Sequence, residues 1–433
     1  MDHFDYRDGV MHAEDVPLSR IAEAVGTPVY VYSTATIERH VRVFREAVAE
    51  AGTGEPLIAF AVKANPNLAV LATLARAGLG ADVVSGGELL RARAAGVPAD
   101  RIVFSGVGKT ADEMALALRE GIGQFNLESE PEAEMLSAVA VSMGVRAPVA
   151  FRVNPNVDAG THAKISTGKS EDKFGIAYDG AVAAYARARD LAGLHIRGVA
   201  VHIGSQLTDL APSRAAFAKI GDLIGALRAS GHDIATADLG GGLGVPYDPA
   251  LPTPPLPAAY GAMVREVTAG WGVRLIFEPG RVIVGNAGIL LTSVIRVKPG
   301  VTNPFVVVDA AMNDLLRPSL YDAWHDIRAV VPRGDRFTAH IVGPICESGD
   351  TFARNRGMDR VEPGDAVCFM TAGAYGATMA STYNSRALTP EVLVNGREWS
   401  IVRARQPIEA LIAADSLPSW LPANPDRSAM EIA

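Results

Sequence analysis

The hydrophobic pattern changes character once along the chain. Between about residues 30 and 280, short apolar runs rich in Val, Ile or Phe alternate with Ala/Leu/Arg/Glu-rich stretches of helical spacing. The runs are Leu57–Asn65, Gly80–Ser85, Arg101–Gly106, Gln124–Ser129, Val149–Pro155, Val199–Ser205, Thr236–Gly242 and Leu275–Gly280. Most lack apolar/polar alternation, as strands buried on both faces do. Stretches between them, such as Asn67–Ala77, Gly87–Ala95 and Ala111–Glu120, have the spacing of helices. Eight βα units in series predict an α/β domain, a (β/α)8 TIM barrel. A doubly wound open sheet competes, but the first run is not followed by its G-x-G-x-x-G turn.

After residue 285 the long helical patterns stop. Leu290–Val297, Phe305–Val308, Arg336–Val342, Ala366–Met370 and Glu391–Val394 read as strands punctuated by Gly and Pro, which predicts an all-β domain, a sandwich or barrel. The first ~28 residues are loop- or strand-like and are expected to join it. The expected division is residues 30–285 for the barrel, and 1–29 with 286–433 for the β domain. Pro249, Pro252, Pro254, Pro255 and Pro257 crowd one segment after the seventh run, which reads as a stiff surface loop. The tail after Leu421 reads as frayed.

A chain of 433 residues suits two domains, and 48% apolar with 20% charged residues allows both a large core and a solvated surface. The net charge of -8, with no long basic run, argues against nucleic acid or an anionic membrane as partner. The polar, acidic N-terminus lacks the pattern of a secretory signal, and no run approaches the ~20 apolar residues of a membrane span. Cys346 and Cys368 are too few and too far apart for a disulfide framework, so a reducing cytoplasm is expected. No C-x-x-C or H-E-x-x-H spacing supports a metal site.

In a (β/α)8 barrel, chemistry sits at the C-terminal strand ends. Here those ends carry Lys63, Asp82 leading to Glu88, Arg152 with Asn154, His202 to Ser205, Gly240-Gly241-Gly242, and Glu278-Pro279-Gly280-Arg281. A lysine after Ala59-Phe60-Ala61-Val62 must be paired, neutralised or covalently used, and burial is expected to lower its pKa. The glycine run is either a tight turn or an anion cradle of backbone N–H groups. Glu278 and Arg281 are either an ion pair or separate ligand contacts. His202 is a core histidine or a site residue. In the second domain, Cys346-Glu347-Ser348 follows a strand, Arg317 and Tyr321 share a face if helical, and a turn presents Tyr375.

Taken together, these residues resemble the alanine-racemase-like pyridoxal-phosphate (PLP) enzymes, and more closely their diaminopimelate decarboxylase branch. The resemblance runs from about residue 27 to 395. It rests on Gly26-Thr27-Pro28, Ala61-Val62-Lys63-Ala64-Asn65, Asp82 to Glu88, His202-Ile203-Gly204-Ser205-Gln206, Gly240 to Gly244, Glu278-Pro279-Gly280-Arg281, Arg317-Pro318-Ser319-Leu320-Tyr321, Cys346-Glu347-Ser348 and Gly373-Ala374-Tyr375. Thr161-His162, Ile165 to Gly168 and Lys173-Phe174-Gly175 also match, while Phe60 departs from a common tyrosine.

The resemblance implies Lys63 carrying PLP as a Schiff base, and His202 stacked on the ring. It implies a phosphate held by Ser205, Gly240–Gly242 and the chain near Gly280 and Arg281, and Glu278 on the pyridine nitrogen. Tyr375 is expected to reach both cofactor and substrate. Cys346 and Glu347 are expected to come from the other subunit of a homodimer with shared active sites. Glu278, where racemases of this fold use arginine, keeps the ring nitrogen protonated and so favours decarboxylation. Arg281, Arg317 and Tyr321 would hold a distal carboxylate, and Glu347 with Ser348 an ammonium group. The implied reaction is decarboxylation of meso-2,6-diaminopimelate at its D-centre to L-lysine. Cys346 or Lys63 would return the proton, and the Asp158–Lys173 stretch is a candidate closing loop. The rivals are a sister decarboxylase for ornithine, arginine, lysine or carboxynorspermidine, and a non-catalytic PLP carrier.

Overall fold

The computed structural model describes residues 2–158 and 173–421. Eight parallel strands close on themselves, in the order Leu57–Ala61, Gly80–Val83, Ile102–Phe104, Gln124–Leu127, Ala147–Asn154, Leu194–Ala200, Thr236–Asp238 and Arg274–Phe277. The last pairs back to the first through Ile276–Leu57 and Phe277–Ile58. This is the predicted barrel. The sixth strand begins at Leu194 rather than Val199, because its first half alternates buried and exposed residues below the barrel and so lacks a continuous apolar signature. Most other strands end a few residues before the apolar runs do. The remaining residues turn outward at the C-terminal mouth, where the polar groups lie.

Helices surround the barrel, and several start on side-chain caps placed just after a strand. Ser85 accepts from the N–H of Glu88, Ser129 from that of Glu132, and Thr110 forms a reciprocal capping box with Glu113. Each cap satisfies donors that the first helical turn leaves open. Helix Thr34–Val48 precedes the first strand and packs on helix Pro257–Val267, closing the helical ring.

The second domain is mainly sheet. Thr351–Asp359, Arg336–Val342, Phe305–Val308, Gly288–Lys298, Val29–Ser33, Glu391–Asn395 and Glu398–Arg403 lie side by side, with Ala366–Phe369 and Ile327–Ala329 attached. Val29–Ser33 pairs with both Gly288–Leu291 and Glu391–Val394, so the sheet includes residues up to Ser33. The N-terminal segment forms a small sheet and helix Leu18–Val25, and packs Phe4, Met11, Leu18 and Ile21 against Val31, Ile289, Cys368 and Val392. Strand Thr351–Asp359 was not legible in the sequence because half of it faces solvent with Arg354, Asn355 and Arg356 in the middle.

The two domains meet at the barrel mouth. The N–H of Tyr375 donates to the Ala64 carbonyl at 2.8 Å, and Asn65 Nδ2 donates to the Gly373 carbonyl at 3.1 Å. Buried Glu391 accepts from Tyr32 and Asn67 and pairs with Arg403 at 2.7 Å. The residues flanking Lys63 are thus bound to the turn that carries Tyr375.

The packing of the two ring-closing helices depends on Gly261. A Cβ there would lie 1.9 Å from the Ala47 carbonyl oxygen. Gly261→Ala must push the helices apart and is expected to cost about 1–3 kcal/mol or more. Denaturant unfolding measures this, and an unchanged midpoint would contradict the packing.

Candidate active site

A cavity of about 640 Å³ opens at the C-terminal mouth of the barrel. Lys63, His202, Ser205, Gly240–Gly242, Glu278, Gly280 and Arg281 line it from the barrel, and Arg317, Tyr321 and Tyr375 from the second domain. The predicted positions converge because every barrel strand points its C-terminal end to the same face.

One end of the cavity is acidic. Lys63 Nζ is 2.9 Å from Oδ2 of fully buried Asp82. The lysine side chain is 42% exposed, and that exposure is to the cavity. Burial pulls the ammonium pKa down, as the sequence led us to expect. Asp82, Tyr375 and Glu278 push it up by more, and the net direction is upward. That corrects the expectation of a lowered value: the neighbouring carboxylates were not visible as neighbours in the sequence. To act as a nucleophile, Lys63 must first give its proton away.

Glu278 lies deeper. Its Oε1 accepts from Ser105 Oγ at 3.1 Å and from Asn126 Nδ2 at 3.3 Å. The same Asn126 Nδ2 donates to Asp238 Oδ2 at 2.8 Å, which brings the two carboxyl groups within hydrogen-bonding reach. Burial, then Asp238 and Asp82, raise the Glu278 pKa well above the carboxylate range. Burial raises Asp238 to about 6. Two like charges this close do not both ionise readily, so the pair retains a proton near neutral pH.

His202 and the glycine turn form one wall. The Gly241 N–H donates to His202 Nδ1 at 3.2 Å, which leaves the imidazole proton on Nε2. Burial, then Arg152 and Lys63, hold the His202 pKa well below its ordinary value. Arg152 pairs with Glu128 at 3.1 Å and donates to the His202 carbonyl, so it supports the wall from behind. The turn must be glycine: at Gly241 a Cβ would stand 2.2 Å from the Glu278 carbonyl oxygen.

Another part of the lining is basic. Arg281 donates to Tyr247 Oη at 2.7 Å and to Ser205 Oγ at 3.1 Å, and its guanidinium lies 4.8 Å from the Tyr375 ring centre. Arg281 and Glu278, three positions apart in sequence, therefore point to different groups and form no ion pair. The Arg317 guanidinium stacks 4.4 Å from the Tyr247 ring centre and reaches His325 Nε2 at 2.8 Å. Arg317 and Tyr321 sit on one short helix, as their spacing predicts. Burial pushes the Tyr247 pKa up, but Arg281 and Arg317 pull it below its ordinary value.

Cys346, Glu347 and Ser348 do not line this cavity. Cys346 is an exposed free thiol and Cys368 a buried one. Glu347 accepts from Tyr383 Oη at 2.8 Å. The motif at Thr161–Gly168 and most of the Asp158–Lys173 stretch lie outside the described residues.

Several contributors escaped the sequence reading. Ser105, Asn126 and Asp238 lie on or just after barrel strands, where their inward direction is set by register alone. Tyr247 and His325 are isolated polar residues in loops. The proline-rich segment is exposed at Pro249 and Pro252 but buried at Pro254, and Asp248, Leu251, Pro252 and Pro254 form part of the cavity lining, because it follows the seventh strand at the mouth.

Comparison with known proteins agrees with this geometry. Residues 34–285 match the family described as pyridoxal-dependent decarboxylase, pyridoxal binding domain. The chain belongs to the pyridoxal-dependent decarboxylase family. It is 55% identical over 418 residues to a diaminopimelate decarboxylase of Zymomonas mobilis, covering 96% of this chain and 99% of the relative. It is 51% identical over 419 residues to that of Pseudomonas aeruginosa, with the same coverage. The crystal structure of diaminopimelate decarboxylase from M. jannaschii in complex with L-lysine superposes with a TM-score of 0.93, at 37% identity, covering 97% of this chain and 99% of that one.

The decarboxylase uses pyridoxal phosphate, and the cavity suits it. It offers an amine for an aldehyde, a glycine turn for an anion and a buried carboxyl for a ring nitrogen. Arg281 Nε and Asp82 Oδ1 are buried without a hydrogen-bond partner, so polar capacity remains toward the site.

The raised carboxyls also carry a pH signature in cofactor-free protein. Unfolded, they titrate near ~4. Folded, they hold protons to higher pH, so their contribution to stability falls as pH rises through about 4 to 6 and, for Glu278, beyond. Asp238→Asn removes one titration and relieves Glu278. Its stability relative to the original chain is expected to improve steadily from pH 5 to 8, in unfolding measurements where the histidine contributions cancel. A pH-independent difference contradicts the coupled pair.

Proposed function

We propose that this decarboxylase acts on meso-2,6-diaminopimelate at its D-centre and releases L-lysine and CO2, the last step of lysine biosynthesis. The observation that carries the reading is the pair of buried guanidinium groups, Arg281 and Arg317, which contact hydroxyls, aromatic rings and a neutral imidazole rather than carboxylates. Two such cations at one end of a cavity call for an anionic ligand group. Diaminopimelate has a second carboxylate to give them, and ornithine has none at its far end. Lysine complexes of structurally similar diaminopimelate decarboxylases support the same choice.

Lys63 would be the amine that holds the cofactor, with Asp82 placed to take or return its proton. The Gly240–Gly242 turn with Ser205 and Gly280 would hold the phosphate, His202 would support the ring, and Glu278 would serve the pyridine nitrogen. When bound, the cofactor supplies an electron sink for the pair left at Cα as CO2 departs. Glu278 and Asp238 hold a proton at the ring nitrogen, which strengthens that sink. Tyr375 and Tyr321 close the cavity around the substrate. A proton must replace the lost carboxyl at Cα. We assign it to Cys346 of the partner subunit, with Glu347 and Ser348 of the partner subunit facing the distal ammonium. The support is that these residues stand outside the cavity of their own chain while Cys346 is a free, exposed thiol. The protein is then a homodimer with shared sites. Its unpaired thiols suit a cytoplasmic enzyme.

Release of CO2 from meso-diaminopimelate, ornithine and lysine, measured with added PLP, tests the substrate. The expected preference for diaminopimelate is several orders of magnitude, up to about 10⁴ where a charged group is left unpaired. Faster turnover of lysine or ornithine would reject it. Glu278→Gln is expected to lower kcat by about 100-fold or more while cofactor binding persists; an unchanged kcat removes Glu278 from the chemistry. Mixing Lys63→Ala and Cys346→Ala subunits, each inactive alone, should restore part of the activity in mixed dimers. No recovery in confirmed mixed dimers argues against a shared site.

A further inference from the structure

Arg317 is aimed by His325. His325 is 2% exposed, and its two ring nitrogens have defined partners. Nδ1 lies 2.8 Å from the Met370 carbonyl oxygen, and Nε2 lies 2.8 Å from Nη1 of Arg317. A carbonyl oxygen only accepts, so the proton sits on Nδ1 and Nε2 offers its lone pair to the guanidinium. Burial, then the charge of Arg317, hold the imidazole pKa down to about 3, so it remains neutral.

The ring is itself fixed. Arg356 donates to the His325 carbonyl at 2.6 Å and stacks 4.0 Å from the centre of the adjacent Trp324 ring. Tyr247 packs edge-on against the imidazole, with ring centres 5.5 Å apart at 76°. The strand end at Met370 and the loop at Trp324 therefore determine where Nε2 points.

The chemical type of this support matters. A carboxylate in the same place would orient Arg317 equally well but would cancel its charge. A neutral acceptor fixes the fork and leaves its charge available to a ligand. Arg281 is treated alike, since it is held by the hydroxyls of Tyr247 and Ser205.

We propose that His325 is a positioning residue that aims Arg317 into the cavity and sets the enzyme's preference for ligands bearing a distal carboxylate over diamines lacking it. This rests on the proposed diaminopimelate reading, and the test separates the two. L-Lysine and cadaverine have the same carbon spacing between amines and differ by one carboxylate. Their affinities for the holoenzyme are measured by calorimetric titration, with KM and kcat for diaminopimelate alongside.

The original chain is expected to bind lysine more tightly than cadaverine. His325→Phe removes the acceptor and should reduce that ratio by about 10- to 100-fold through lysine alone, the range of a hydrogen bond to a charged group. KM for diaminopimelate should rise by a similar factor, with kcat within about threefold. His325→Gln, whose amide oxygen can accept from Arg317, should recover much of the ratio. His325→Asn strains the packing less and falls short of Arg317; a similar drop is expected there. A folded Phe or Asn variant with the original ratio overturns the role of His325. If the original chain itself does not prefer lysine to cadaverine, the diaminopimelate reading fails instead.

Discussion

The site is organised around one amine held among carboxylates. Lys63, in the turn just after the first barrel strand, lies 2.9 Å from buried Asp82, with Glu278 close enough to raise its pKa further. A charged amine in this position offsets part of the cost of burying three acids at the barrel mouth. The same neighbours fix where the amine points and provide a route for its proton. Loss of that charge would therefore alter the whole acidic end, including the Asp238–Glu278 pair that Asn126 bridges.

The cavity thus has two electrostatic ends. Asp82 and Glu278 neighbour Lys63, and Asp238 pairs with Glu278 behind them, while Arg281 and Arg317 lie beside Tyr247. An amino acid with an ammonium at one end and a carboxylate at the other matches that polarity. The barrel supplies the acidic end and most of the basic one. The second domain contributes Arg317, Tyr321 and Tyr375, and the hydrogen bonds from Tyr375 and Asn65 across the domain boundary keep the two sets in register. The fold thereby completes a cavity built mostly by the barrel with three side chains carried by a separate domain.

The barrel was legible because its strands are buried on both faces and appear as continuous apolar runs. Lys63, Glu278 and Arg281 were legible because strand ends in this fold point to one mouth. Asp238, Ser105 and Asn126 were not, since an inward-facing polar residue in a short strand has no signal apart from register. His325 was missed for a different reason: its contacts span from Arg317 to Met370, and nothing local announces them. The direction of the Lys63 pKa was misjudged because burial was apparent from the sequence but the surrounding carboxylates were not. Exposed strands such as Thr351–Asp359 were hidden by their polar faces.

The central claim is that the side chain at position 63 bears the cofactor. Reduction of the holoenzyme with borohydride, followed by proteolysis and mass mapping, tests it directly. The account predicts a single pyridoxyl-modified peptide containing Lys63. Modification of a different lysine, or none under conditions where the protein holds its cofactor, contradicts it.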